Sequence, residues 1–160
     1  MTNRVRTLPA SGYFVLAVCL SAALVGCLAP GVHTKEAPTL SAHHGRDLRA
    51  TLEQVDGHWL RVRDLSPLSA ATKLPPIVLV HGYGSRLEAW GSVQTSLAEH
   101  TRVVSYDMRG FGRSDKHAST YGVQAHAREL TRLVRELGLD RPILVGHSYG
   151  ASVVMRAALD

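Results

Sequence analysis

The 160-residue sequence has only two cysteines, Cys19 and Cys27, and none beyond. Whatever folds downstream of position 27 therefore holds no disulfide and must rest on an apolar core. No apolar run reaches the roughly 20 residues that a membrane-spanning helix needs. Basic residues form no cluster, and no aromatic platform accompanies them. The formal charge of +5 falls to +3 once Arg4 and Arg6 are set aside. Nucleic acid is thereby a poor partner. His33, His43 and His44 have neither a cysteine nor an acidic cluster beside them, so they read as solvated, and no metal or cofactor is expected. One further absence matters most: after Ser148 the sequence offers a single acid, Asp160, and no histidine. What remains, 45% apolar and 19% charged, is the composition of a globular domain rather than a disordered one.

Residues 1–26 read as a processing signal. Arg4 and Arg6 precede an apolar stretch from Tyr13 to Gly26, and Pro30 and Gly31 follow soon after. Its end, Leu24-Val25-Gly26-Cys27, resembles the lipobox of bacterial lipoproteins. The resemblance implies that Cys27 is acylated and becomes the first residue of an exported protein held at a membrane. The face would be the outer membrane or the outer side of the cell membrane. Residues 27–45, poor in large apolars and carrying Pro30, Gly31 and Pro38, suit a tether. Such a segment reaches roughly 25 Å on average.

The folded part is expected over 46–160. Leu48–Gln54 and Trp59–Leu65 alternate around Asp56-Gly57, a strong hairpin signal because both central turn positions need φ > 0. Ile77–Val80 is a continuous β-branched run of the kind buried on both faces of a parallel sheet. Helical spacing of Ala89, Trp90, Val93 and Leu97 predicts a helix over 88–99. A strand over Arg102–Tyr106 follows. A second helix is predicted over Val123–Leu137, with Gly138 as its stop. Pro142–Val145 is a further strand, and Ala151–Leu159 begins another helix. Strands alternating with helices imply a parallel α/β sheet with right-handed crossovers.

Three motifs lie at the ends of those strands. Gly146-His147-Ser148-Tyr149-Gly150 follows a buried strand and opens a helix, the context of a nucleophile elbow. The turn would project the Ser148 hydroxyl clear of the sheet, and Gly146 and Gly150 would allow strand and helix to approach. The helix N-terminus would place its positive end at a developing oxyanion. His81-Gly82-Tyr83-Gly84 directly follows the Ile77–Val80 strand. Asp107-Met108-Arg109-Gly110-Phe111-Gly112-Arg113-Ser114-Asp115 follows the Arg102–Tyr106 strand. This loop reads as structural, with Asp107 and Arg109 as hydrogen-bond partners that fix it. A phosphate-binding role is excluded by the lack of Gly-Lys-Ser/Thr.

Together the three segments resemble the α/β-hydrolase family, in its esterase, peroxidase-like and C–C hydrolase branch. The resemblance covers about residues 47–160. It implies a partial α/β-hydrolase fold, in which an N-terminal hairpin leads into parallel strands with crossover helices, and which is truncated after the elbow helix. It also implies Ser148 as nucleophile, with the backbone N–H groups of Tyr83 and Tyr149 as the oxyanion hole. The Tyr83 side chain would line the pocket or pack in the core. His81 and His147 would have structural or pocket-lining roles. In that family the acid and histidine of the triad come after the nucleophile. The expectation is therefore a fragment of a membrane-tethered serine hydrolase acting on an ester or related acyl compound, inactive by itself. A lipid-anchored binding or scaffold protein that keeps the fold is the alternative. An aspartate in place of Ser148 would have suggested epoxide or haloalkane chemistry, and serine argues against both.

Overall fold

The computed structural model describes residues 14–18, 50–67, 74–117 and 120–159. The 1–26 and 27–45 boundaries, Cys27 and the three histidines of the tether lie outside them. The Asp56-Gly57 turn has φ of 52° and 79°, the two positive values that a tight hairpin demands. It joins β2 (Ala50–Val55) to β3 (His58–Leu65) in antiparallel register, Val55 opposite His58. The apolar run Ile77–Val80 is β4, with its last three residues fully buried. Parallel to it on one side lies β5 (Val103–Tyr106) and on the other β6 (Ile143–His147). The chain thus leaves β4 in one direction and returns on its other flank. Right-handed crossovers then place the two connections on opposite faces of the sheet.

Helix α1 (Gly91–Ala98) covers one face, and α2 (Val123–Glu136) and α3 (Tyr149–Ala157) pack together on the other. The helix predicted over 88–99 is in fact a 3₁₀ turn, Leu87–Trp90, followed by α1. Its buried face also differs from the expected one, for Val93 is exposed and Gln94 is wholly buried. The physical reason is a set of hydrogen bonds. The Gln94 amide donates to the carbonyls of Arg63 and Val103, and its Oε1 accepts from Arg63 Nε and the Ser105 hydroxyl, all within 2.6–2.9 Å. A fully bonded amide can be buried at little cost.

A sixth strand, β1 (Phe14–Val18), comes from the apolar stretch read as the heart of a leader. It pairs parallel with β6, Phe14 opposite Ile143 through Val18 opposite His147, so the sheet order is β1-β6-β4-β5-β3-β2. The outer edge of β6 is covered by this strand.

Candidate active site

A sheet whose chain reverses direction at β4 opens a crevice at the carboxyl ends of the central strands. Val80 of β4 lies opposite Gly146 of β6, so the segments that follow, His81-Gly82 and Ser148, emerge side by side. Ser148 has φ 51° and ψ −117°, one of three non-glycine residues with positive φ among those described. Holding an L residue there costs on the order of 1–3 kcal/mol, which the surroundings must enforce. They do so through main chain packed on main chain. A methyl group on Gly146 would lie 2.4 Å from the Gly150 carbonyl oxygen, and one on Gly150 would lie 2.4 Å from that of Val80. Neither position has room for a side chain. Ser148 precedes the first residue of α3, where a serine ordinarily caps the helix, yet its side chain makes no capping bond. Its hydroxyl is exposed and left to other partners.

Gly82 meets this corner from β4. A methyl group there would fall 2.9 Å from His147 Nδ1 and 3.3 Å from Ser148 Cβ. Its carbonyl accepts the Ser85 N–H, closing a turn in which Gly84 takes φ 68°. Tyr83, at the tip of that turn, is 78% exposed rather than packed in the core. Its ring meets that of Tyr149 edge-on at 6.0 Å and that of Phe111 at 5.3 Å. The structure thereby brings Tyr83, Ser148 and Tyr149 to one place. Tyr149 opens α3, so its N–H is among the four that a helix leaves without an internal acceptor.

His81 is 1% exposed and fully engaged. Its Nδ1 lies 2.7 Å from the Gly82 carbonyl, to which it must donate, and its Nε2 accepts the Met108 N–H at 3.0 Å. That is a neutral tautomer, and burial pushes its pKa below the ordinary 6.5. No lone pair remains for a serine proton. His147 is exposed beside Ser148, with its Nδ1 against Gly82.

The loop after β5 is pinned from both ends. Asp107, wholly buried, accepts the N–H groups of Leu87 and Arg113 at 2.7 and 2.8 Å. The Arg61 guanidinium stands 3.6 Å away and bonds Glu88 at 2.6 Å. Gly112 is required here, for a methyl group would sit 2.1 Å from the Asp107 carboxylate. Arg109 pairs with buried Glu129, its Nε 3.2 Å from Oε2, while Oε1 accepts the Arg109 N–H at 3.3 Å. Burial outweighs both contacts and raises the Glu129 pKa to about 7. Sequence reasoning passed over His126, Glu129 and Gln94. The available signal was a polar residue at helical spacing within an apolar face. Beside the turn, a cavity of about 300 Å³ lies on the α1 face, walled by His81, Trp90, Val145 and Gly146 among others. Among the described residues, no three His, Cys, Asp or Glu side chains group as metal ligands, and no helix is long and apolar enough to cross a membrane.

Comparison with known proteins follows the same geometry. The sequence profile of one family, the alpha/beta hydrolase fold, matches residues 75–160. The chain is 39% identical over 88 residues to the 2-hydroxy-6-oxo-2,4-heptadienoate hydrolase of Pseudomonas putida, covering 52% of this chain and 32% of that protein. It is 39% identical over 92 residues to the fluoroacetate dehalogenase of a Burkholderia species, covering 54% and 30%. An alpha/beta hydrolase fold protein from Burkholderia ambifaria superposes with a TM-score of 0.61 at 29% identity, over 68% of this chain and 38% of that one. The chain spans about a third of the length of the two curated relatives just named.

Proposed function

That the chain belongs to the α/β-hydrolase fold family is the premise from which we propose that Ser148 is the nucleophile of an acyl hydrolase. One observation supports this above the others: an exposed serine held at φ 51° between a buried strand and a helix, with the Gly82 turn against it. An acyl carbonyl seated there would receive the Ser148 oxygen. The developing oxyanion would lie toward the Tyr83 and Tyr149 N–H groups, and loss of one such donor costs roughly 2.7–4 kcal/mol in the transition state. A base takes the serine proton and returns it to the leaving group, and water then releases the acyl chain. Neither nitrogen of His81 is free to be that base. In this fold base and orienting acid follow the nucleophile in chain order, and the curated relatives are about three times as long as the matched segment, so we assign both groups to that further part of the fold. Some relatives are named for dehalogenase and epoxide chemistry. The notion of a carboxylate nucleophile fails here on residue type, because position 148 carries a hydroxyl. Hydrolysis of an ester or related small acyl compound is the reading that remains.

The leader belongs to the same proposal. Acylation at Cys27 would tether the enzyme to the outer membrane or the outer face of the cell membrane, since more than one acyl chain anchors stably, and the accompanying cleavage would remove β1, so the β1–β6 pairing belongs to the uncleaved chain.

A fluorophosphonate probe tests the chemistry on a chain that continues beyond Asp160. Labelling of the wild type and none of Ser148→Ala is expected. A folded, extended wild type that stays unlabelled would leave the lipid-anchored scaffold as the better account. Partition of Cys27→Ala out of the membrane fraction tests the anchor separately.

A further inference from the structure

His126 takes no part in the chemistry just described, yet it is 1% exposed and bonded through both ring nitrogens. Its Nε2 lies 3.0 Å from the Arg109 carbonyl, and its Nδ1 lies 2.9 Å from the Tyr149 hydroxyl. A carbonyl only accepts, so Nε2 must carry the proton. In the neutral ring Nδ1 is then a lone pair, and the Tyr149 hydroxyl must donate into it. Burial lowers the pKa of His126 and keeps the ring neutral. His81 has the opposite tautomer, and it holds the adjacent loop residue, Met108, by its N–H. The segment Met108-Arg109 is therefore a strut. One histidine ties it to the turn that carries Tyr83, and the other ties it to the residue that follows Ser148.

We propose that His126 is a positioning residue: by anchoring the Tyr149 side chain to the Arg109 carbonyl it fixes the peptide that presents the Tyr149 N–H to the reacting carbonyl. The inference rests on the hydrolase reading of Ser148. Tyr149 is the first residue of α3, next to the strained corner, and a side chain held at its hydroxyl restrains the Cα beside the N–H that Tyr149 presents. The ring is braced edge-on by His126 at 5.7 Å and by Tyr83 at 6.0 Å, and among the described residues its directional restraint is the hydroxyl bond. The groups facing His126 are Arg109, with its partner Glu129, and the rings of Phe111, Tyr121 and Tyr149, with His81 acting from farther off. With the proton on Nε2 held by the Arg109 carbonyl, none of them competes for Nδ1.

The test uses the chain extended beyond Asp160, with p-nitrophenyl butyrate turnover, fluorophosphonate labelling and thermal unfolding measured on each variant. Tyr149→Phe removes only the hydroxyl. It is expected to lower kcat about tenfold, as a misplacement of well under 1 Å would, with KM within about twofold and a melting temperature close to wild type. His126→Gln, which keeps a donor for Arg109 but none of the acceptor for Tyr149, should match it. His126→Asn places an oxygen where Nδ1 was and should recover most of the loss. The double variant Tyr149→Phe with His126→Gln should lose no more than either alone. An unchanged kcat in Tyr149→Phe, or a fall in melting temperature alone, overturns the proposal, and this variant decides even if the His126 variants do not fold. A wild type that fails to label at Ser148 sinks the hydrolase reading and this one with it. A labelled wild type with an unaffected Tyr149→Phe sinks only this one.

Discussion

The two faces of the sheet are built on different principles. Under α2 and α3 lies one continuous cluster of buried apolar side chains, from Val55 and Leu60 through Val80, Tyr106, Leu130 and Leu133 to Val153. Under α1 the corresponding cluster is Leu65, Leu79, Ala98 and Val103, with Ile77, Trp90, Leu97 and Val145 only partly buried. Here α1 is secured by the Gln94 hydrogen bonds, and the 3₁₀ turn before it by Arg61 with Glu88 and Asp107. The cavity beside the Gly82 turn is on this face too. Apolar burial supplies energy without direction, whereas hydrogen bonds supply direction with a small net energy. The α2–α3 face therefore carries the stability, and the α1 face holds segments in register while leaving space next to Ser148.

Large-to-small substitutions should expose this contrast most strongly. Leu130→Ala, at a site with no exposure, is expected to cost about 3 kcal/mol of unfolding free energy in a denaturant titration. Leu97→Ala on the other face should cost about 1 kcal/mol or less, because that side chain is only half-buried. Equal losses would abolish the distinction. A smaller effect is expected from Gln94→Leu, which fills similar volume but strands the Ser105 hydroxyl and the Val103 carbonyl, at about 1–3 kcal/mol. Were the face held by apolar contact alone, that change would be neutral or stabilising.

The weakest lever is pH. His81 and His126 have folded pKa values below 6.5, so the unfolded chain takes up protons that the folded one refuses, and stability falls as pH drops below 6.5. Glu129 works the other way. Its folded pKa of about 7 stands above the ordinary 4.5, so its contribution is complete below 4.5 and is lost as pH rises to about 7. Between 4.5 and 6.5 the slopes oppose each other. Glu129→Gln should therefore steepen the acid-side loss of melting temperature, and an unaltered profile would show that Glu129 is ionised throughout. His126 and Glu129 lie on α2, so their share of the pH response belongs to that face, while His81 stands between the two.

Reading residues in order recovers what local chemistry dictates. Asp56-Gly57 announces its turn because only φ > 0 closes it, and Ile77–Val80 announces a central strand because nothing in it could face water. The positions of Gly146, Ser148 and Gly150 at a strand–helix junction were visible for the same reason. Gln94 was not, because its burial depends on Arg63, Val103 and Ser105, residues near it only after folding. The exposed Val93 beside it made periodicity point to the wrong face. His126 went unremarked, since its two partners lie 17 and 23 positions away. Strand β1 was hidden by a stronger pattern: an apolar stretch after basic residues reads as a leader whatever else it pairs with.

The contacts at Gly146 and Gly150 link peptide to peptide across β4, β6 and α3, with no rotatable side chain between them. A junction of that kind leaves strand and helix no soft coordinate, and only the finer angle of the Tyr149 N–H remains for its hydroxyl bond to set. The amide protons of its paired strands should exchange only when the sheet opens, and repacking of neighbouring leucines should leave the serine where it is. Warming the molecule toward its melting point would then blur the exposed ring of Tyr83 long before it displaced the corner beside it.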